Sequence, residues 1–316
     1  MNHHFCADLS REQGDPLAGS AAHAERHLLI SWPRSKWQRK LRHASDMDDT
    51  LKQTLDAIAD NGLRINLIQQ SGMDTHQHQV FLMPERRRFR VARHQLGSFL
   101  TALQAGNRLA RWEQFPLKND LVLCCTHGKK DKCCAKYGYQ TYKALVKAVT
   151  EHHLPFEVWE SSHLGGCRLA ASLILLPQVR KYGRISPDQT LPFLHAEAKG
   201  QRYLPGYRGD SRLTPVQQCS QLAALTHLSS DDEQPHLTLR NETGDEQERW
   251  LHWQWQRSDD QGELSIRCQA TTIMRVDTCA DLEQGPTESV IWQAVEVTCG
   301  EALSGPLSMS SHPLSS

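Results

Sequence analysis

The chain lacks a charge imbalance, a membrane-length apolar run and the cysteine spacings of the commonest redox and zinc motifs. Each absence narrows its chemistry. Lys plus Arg and Asp plus Glu both number 36 in 316 residues, so no net charge draws the whole chain toward nucleic acid or an anionic membrane. The longest apolar run, LAASLILL, falls far short of the roughly 20 residues that span a bilayer. The first residues, MNHHFCADLSREQ, contain no apolar signal-peptide core. The expectation is a cytoplasmic protein that binds neither membrane nor nucleic acid. No C-x-x-C is present, which removes the motif that thiol–disulfide exchange requires. No two cysteines have the two-to-four-residue spacing of a zinc knuckle. Ten cysteines in a long chain of a reducing compartment therefore point to metal or redox chemistry rather than to disulfides.

What is present is an alternation of strand and helix patterns. HLLISW (27–32) reads as a buried strand. Met47, Leu51, Leu55 and Ile58 recur at helical spacing behind the capping candidates Ser45 and Asp46, and Asn61-Gly62 ends the run. Leu63, Ile65 and Leu67 alternate with Arg64 and Asn66 as in a strand, VFLM and FRVAR could pair, and a helix follows from about residue 95 to 105. A boundary is placed near residues 115–119. LVLC (121–124) and FEVWE (156–160) read as strands flanking a helix whose face is Tyr142, Leu145, Val146 and Val149. LAASLILLP gives another strand, with YGRI as its partner, and Pro215 to Leu225 reads as a helix. Past a polar linker at 229–235, Leu251, Trp253 and Trp255 and then Leu264, Ile266, Cys268 and Ala270 alternate as β structure. The tail from 303 is expected to be disordered. No short-period repeat is visible.

Chemistry concentrates in two loops. Cys125 and Cys134 flank the basic stretch of LVLCCTHGKKDKCCAKYG, and His163 and Cys167 close VWESSHLGGCRLAAS. Thiolate and imidazole suit zinc, copper(I) or iron–sulfur clusters, whereas calcium and magnesium require oxygen. Eight residues between Cys125 and Cys134 suit a wide object such as a two-iron cluster, and His163-x3-Cys167 across a Gly-Gly turn can serve one metal. Gly165 and Gly166 permit close backbone approach and positive φ. Ser161, Ser162 and nearby amides are expected to donate to sulfur, and Lys129, Lys130 and Lys132 to offset the site's negative charge. Cys124 and Cys133 each neighbour a proposed ligand and could replace it by a one-residue slip. Cys6, Cys219, Cys268, Cys279 and Cys299 read as small buried apolar residues. Arg86, Arg87, Arg88, Arg90 and Arg93 form the strongest basic cluster and read as the solvated side of an edge strand, with Phe89 and Val91 facing in.

CTHGKKDKCC, ESSHLGGCRLAASLILLP and YGRIS together resemble the sucrase/ferredoxin-like family, a group with thioredoxin-like [2Fe–2S] domains. The family pattern has a Cys, a His two residues on, a basic–Asp pair and a second Cys; later comes His-x-Gly-Gly followed by His or Cys. Here these are Cys125, His127, Lys130-Asp131 and Cys134, then His163, Gly165, Gly166 and Cys167. FCADLSREQGDPLAGSA resembles the family's N-terminal segment, so the likeness spans about residues 5 to 225. The resemblance implies an α/β fold of two thioredoxin-like domains, 1–118 and 119–228, the second carrying the cluster; the alternation beyond them adds a β-rich region at 229–302. It also implies a [2Fe–2S] cluster on Cys125, Cys134, His163 and Cys167, with His127, Ser162, Gly165 and Gly166 around those ligands. RGDSR (208–212) resembles a family loop, without a mechanism attached. Fungal relatives use two histidines in the second segment, where this chain has one histidine and Cys167. One imidazole implies a potential between plant-type ferredoxins, at about −400 mV, and Rieske centres, at roughly −150 to +300 mV. The free nitrogen of His163 could couple electron transfer to a proton.

The leading expectation is thus an electron-transfer or redox-sensing protein served by a partner protein or reductase. A zinc-stabilised binding module on the same four residues is the alternative. Hydrolysis of a glycoside needs two carboxylates about 5 to 10 Å apart, and no motif here recommends such a pair.

Overall fold

The computed structural model describes residues 5–114, 116–229 and 233–300; Phe115, at the expected first boundary, and the expected disordered tail at 303–316 lie outside them. Strands β1 (His27–Ser31), β2 (Arg64–Gln69), β3 (Gln77–Met83), β4 (Arg87–Ala92), β5 (Asp120–Cys125), β6 (Phe156–Ser161), β7 (Leu173–Leu176), β8 (Arg180–Tyr182) and β9 (Tyr207–Asp210) form one mixed sheet. Its order is β4-β3-β1-β2-β6-β5-β7-β8-β9. The parallel pairs β1/β2 and β5/β6 each need a crossover, supplied by α2 (Asp49–Asp60) and α4 (Tyr139–Glu151). β3 and β7 then return antiparallel against β1 and β5. Two halves of like topology therefore meet edge to edge, with β2 and β6 antiparallel through Ile68↔Ser161 and Gln69↔Glu160. The repeat that no short period reveals is one of strand order.

Local chemistry accounts for where the elements fall. Asp48, rather than Ser45 or Asp46, caps α2 by accepting from the Leu51 N–H, because the Asp46 carboxylate is taken by Trp32 Nε1 and Arg93. Along α4 the buried face is Tyr142, Leu145 and Ala148, whereas Val146 is exposed. The partner of β7 is Arg180–Tyr182, so of the expected YGRI only Tyr182 lies in the strand. α3 (Leu96–Gln104) follows the edge strand β4 closely. There Phe89 and Val91 face the core while Arg86, Arg87, Arg88 and Arg93 pair with Asp120, Glu113, Glu157 and Asp46. The arginine stretch is thus largely neutralised by its own surroundings.

α1 (Cys6–Glu12), α5 (Thr190–Ala198) and α6 (Pro215–His227) complete the helices, the last opened by Thr214 and Gln217 in a capping box. A second sheet, β10 (His236–Gly244), β11 (Glu248–Gln256), β12 (Gln261–Arg275) and β13 (Thr287–Cys299), is an antiparallel meander. Leu251, Trp253, Leu264, Ile266 and Cys268 bury one of its faces with α6, while Trp255 and Ala270 are half-buried. At 15 and 13 residues β12 and β13 overrun their neighbours, and the turn between them brings Val276, Cys279 and Leu282 into the core of the first sheet. Among the described residues no helix is long and apolar enough to cross a membrane.

Candidate metal centre

Side chains of adjacent strand residues point to opposite faces, and β5 ends on two cysteines. Cys124 turns into the layer with Tyr142 and Leu145 and meets the Gly138 carbonyl at 3.2 Å. Cys125 turns to the other layer, with Leu123, Trp159 and Cys167. A π turn over Cys134–Gly138 opens α4 and starts at Cys134. It closes on β5 so tightly that a Cβ at Gly138 would lie 1.9 Å from the Cys125 carbonyl oxygen. The result is that Cys125, Cys134, His163 and Cys167 become a run of neighbouring donors. Cys134 Sγ is 3.8 Å from Cys167 Sγ, and Cys167 Sγ is 3.5 Å from His163 Nδ1. The donor atoms of Cys125, Cys134 and His163 all lie within 4.8 Å of one another. Cys133 turns away from this group toward Cys6 and Cys279.

The electrostatics of this cluster are those of thiols and an imidazole sharing protons. Contact with Cys134 holds Cys125 well below the usual thiol range despite complete burial. The same contact pushes Cys134 well up. Cys167 is lowered, chiefly by Cys134 and then by His163. Burial alone would lower His163, but Cys125 and Cys167 outweigh it and hold the imidazole at about 9. Three thiols and an imidazole in so little volume form a soft donor set that a cation would neutralise.

The sequence profile of the sucrase/ferredoxin-like family matches residues 17–209, more than half of the chain. The chain belongs to the sucrase/ferredoxin-like family. No curated protein matches it. Solved structures with some likeness are of a thioredoxin-like [2Fe–2S] ferredoxin from Aquifex aeolicus. One is 12% identical and covers 28% of this chain and 90% of its own, with a TM-score of 0.26. Another, of the wild-type ferredoxin, has the same identity and TM-score and covers 28% and 96%. Likeness at this level carries no argument about the fold or the site.

The stretch that matches the family profile contains all four donors and, next to its end, a residue that sequence reasoning passed over. Arg208, in RGDSR, is completely buried; its Nη1 donates to the Gly165 carbonyl at 3.0 Å and its Nε to Ser20 Oγ at 3.0 Å. Burial pulls it down to about 9, which leaves it cationic at neutral pH, with Cys167 and Cys125 favouring the charge. Its guanidinium lies under Gly166, where a Cβ would meet it at 2.7 Å, and Gly166 has φ +76°. Any larger residue there must take up that φ and displace the guanidinium. Arg64 and Asn66, the polar members of the β2 alternation, also reach this loop. Arg64 Nη2 donates to the His163 carbonyl at 3.0 Å, and Asn66 Nδ2 reaches the carbonyls of Ser162 at 3.2 Å and His163 at 3.1 Å. The charges nearest the thiols are therefore half-buried Arg64 and buried Arg208, whereas Lys129 and Lys132 are exposed and Lys130 is half-buried.

The serines also differ from expectation. Ser162 Oγ accepts from the Leu67 N–H at 3.0 Å and so serves the joint between β2 and β6, while Ser161 Oγ donates to the adjacent Ser162 carbonyl at 2.9 Å instead of to a sulfur. His127 Nδ1 accepts from the His163 N–H at 3.1 Å, fixing the backbone that carries the imidazole. Of the cysteines read as buried apolar residues, Cys299 is exposed at the end of its sheet and Cys279 is half-buried.

Proposed function

We propose that the chain binds a [2Fe–2S] cluster through Cys125, Cys134, His163 and Cys167 and serves as an electron-transfer or redox-sensing protein. In this reading the two halves, about 1–118 and 119–228, are thioredoxin-like domains, and a partner protein or reductase exchanges electrons with the centre. The observation that carries the proposal is the convergence of these four donors, from two loops, into a buried site backed by Arg64 and Arg208. Membership of the family supports it. The donor set fits: three thiolates with one imidazole match iron–sulfur ligation and exclude hard cations. A bound cluster supplies one-electron storage. The protein's own residues supply the rest. Arg64 and Arg208 offset negative charge that would otherwise oppose reduction. His127, Asn66 and Arg64 hold the His163 backbone so that Nδ1 faces Cys167. With a cluster held through one ring nitrogen of His163, the other nitrogen would carry an exchangeable proton, and the potential would fall as pH rises through its titration.

One observation favours a second reading, a single zinc on the same residues. Thiolates sharing one zinc at ~2.3 Å lie about 3.8 Å apart, and Cys134 and Cys167 are at that separation. Anaerobic purification followed by iron, zinc and acid-labile sulfide analysis separates the two. Iron and sulfide in equal amounts, a visible charge-transfer spectrum and an EPR signal on reduction are expected. Zinc without sulfide at this site would sink the cluster reading.

A further inference from the structure

A second group of thiols lies beside the first, and the Asp131 carboxylate stands between them, within 4.8 Å of Cys134 and Cys167 as well. Cys6 opens α1, Cys133 precedes Cys134, and Cys279 starts the turn between β12 and β13. Their Sγ atoms form a nearly equilateral triangle: 3.5 Å from Cys6 to Cys133, 3.4 Å from Cys133 to Cys279 and 3.6 Å from Cys279 to Cys6. Asp131 completes the group, its Oδ2 3.9 Å from Cys6 Sγ, and its ligand oxygen and the three sulfurs all lie within 4.8 Å of one another. The carboxylate is buried and held in place by two backbone amides, Cys133 N–H to Oδ1 at 2.7 Å and Cys279 N–H to Oδ2 at 2.8 Å.

An ordinary apolar core does not account for this arrangement. Three thiols drawn from the start, middle and end of the described chain meet at one point, against a carboxylate that loses solvation to be there. A disulfide would use two of the three sulfurs, bring them to about 2.05 Å and leave the third without a role. A tetrahedral cation uses all four groups. For a Zn–S bond of ~2.3 Å the sulfur–sulfur edge is about 3.8 Å, so the triangle needs to open only slightly. Three thiolates and one carboxylate oxygen are a soft set with one hard member, which suits zinc and not calcium or magnesium.

We propose that Cys6, Cys133, Cys279 and Asp131 form a second metal site, occupied by zinc and structural in role. The vicinal pair divides between two centres, Cys134 facing His163 and Cys167, and Cys133 facing Cys6 and Cys279. The ion fastens three segments that are distant in sequence: the seven-residue helix α1, the loop after β5 and the turn carried by the long arms of β12 and β13. A helix as short as α1 is not stable by itself and gains from such an anchor.

The test uses the full chain, purified anaerobically from zinc-replete culture. One zinc per chain is expected in addition to whatever the Cys125 group holds. The double variant Cys6→Ser/Cys279→Ser should lose one zinc equivalent with iron, sulfide and visible spectrum unchanged. Cys279→His, which replaces one zinc ligand by another, should keep the metal and covers the case in which the serine variant fails to fold. Wild-type protein without zinc overturns the proposal. So does a double variant that keeps all its zinc or loses iron instead, and so does a Cys6–Cys133 disulfide peptide from the native protein. Missing sulfide in the wild type would sink the cluster reading but leave the zinc loss on Cys6→Ser/Cys279→Ser as a separate result.

Discussion

If the adjoining centre holds the proposed cluster, the buried positive charge of Arg208 is readable in its potential. A unit charge within about 10 Å is worth on the order of 1–2 kcal/mol at an effective dielectric of ~20, or tens of millivolts for one electron. Arg208→Met should therefore lower the reduction potential by that order, measured by redox titration of the visible spectrum, while Arg208→Lys should recover part of the shift. No change in either would remove Arg208 from the electrostatics of the site. His27 offers a second test at this scale. Burial, followed by the nearby charges of Lys181 and Arg64, lowers its pKa from 6.5 to about 3. The folded chain thus holds His27 neutral where the unfolded chain takes up a proton, so this contribution to stability is lost as pH falls from about 6.5 toward 3. The slope reaches about 1.4 kcal/mol per pH unit. His27→Leu should flatten that part of the pH dependence in denaturant unfolding, and an unaltered slope would show that His27 is solvated in the folded state. The two loops that carry Cys125, Cys134, His163 and Cys167 stood out in the sequence, and the family resemblance chose Cys125 and Cys134 over their neighbours. The roles of Arg64, Asn66 and Arg208 were not legible, because a strand pattern cannot say that its polar side faces a loop from the other half of the sheet instead of water.

At the scale of elements, the loop between β6 and β7 is shaped by Gly165 and Gly166, both at positive φ. Gly166→Ala has to accommodate an unfavourable φ of +76° and a clash with the Arg208 guanidinium at 2.7 Å. The φ alone costs roughly 1–2 kcal/mol, and the displaced arginine adds to it. The expected outcome is lower stability by denaturant titration together with weaker metal retention against a chelator. Loss of stability with retention unchanged would mean that the loop and the centre are independent. Cys124→Ser is the matched control, since its side chain lies in the opposite layer beside Tyr142 and Gly138. It should leave the cofactor in place, whereas Cys134→Ser should not. Strand and helix identities were readable because their periods are strong. Their ends were less so: Asp46 was already occupied by Trp32 and Arg93, which no local pattern reveals, and so Asp48 became the cap.

At the scale of the whole molecule the centre sits at the joint between two halves of one sheet. Only Ile68↔Ser161 and Gln69↔Glu160 pair across β2 and β6, so backbone ladder bonds alone hold that joint weakly. Side chains reinforce it: Asn66 reaches Ser162 and His163, Arg64 reaches His163, and Arg34 pairs with buried Glu160 at 2.6 Å. The His163 backbone therefore belongs to the joint while its ring belongs to the donor cluster, and occupancy of the centre should couple the halves. Metal bound only to the folded chain stabilises it by mass action. Calorimetry should show a single unfolding transition for the loaded protein. After metal removal the transition should fall in temperature and broaden or split, with amide exchange rising first at β2 and β6. Asn66→Ala should weaken the joint in the loaded protein and reduce metal affinity by roughly 10–100-fold, the range for groups that orient a ligand. If the metal-free chain still unfolds in one sharp transition, and Asn66→Ala retains full affinity, the halves are held by their shared sheet alone and the centre is a passenger on it.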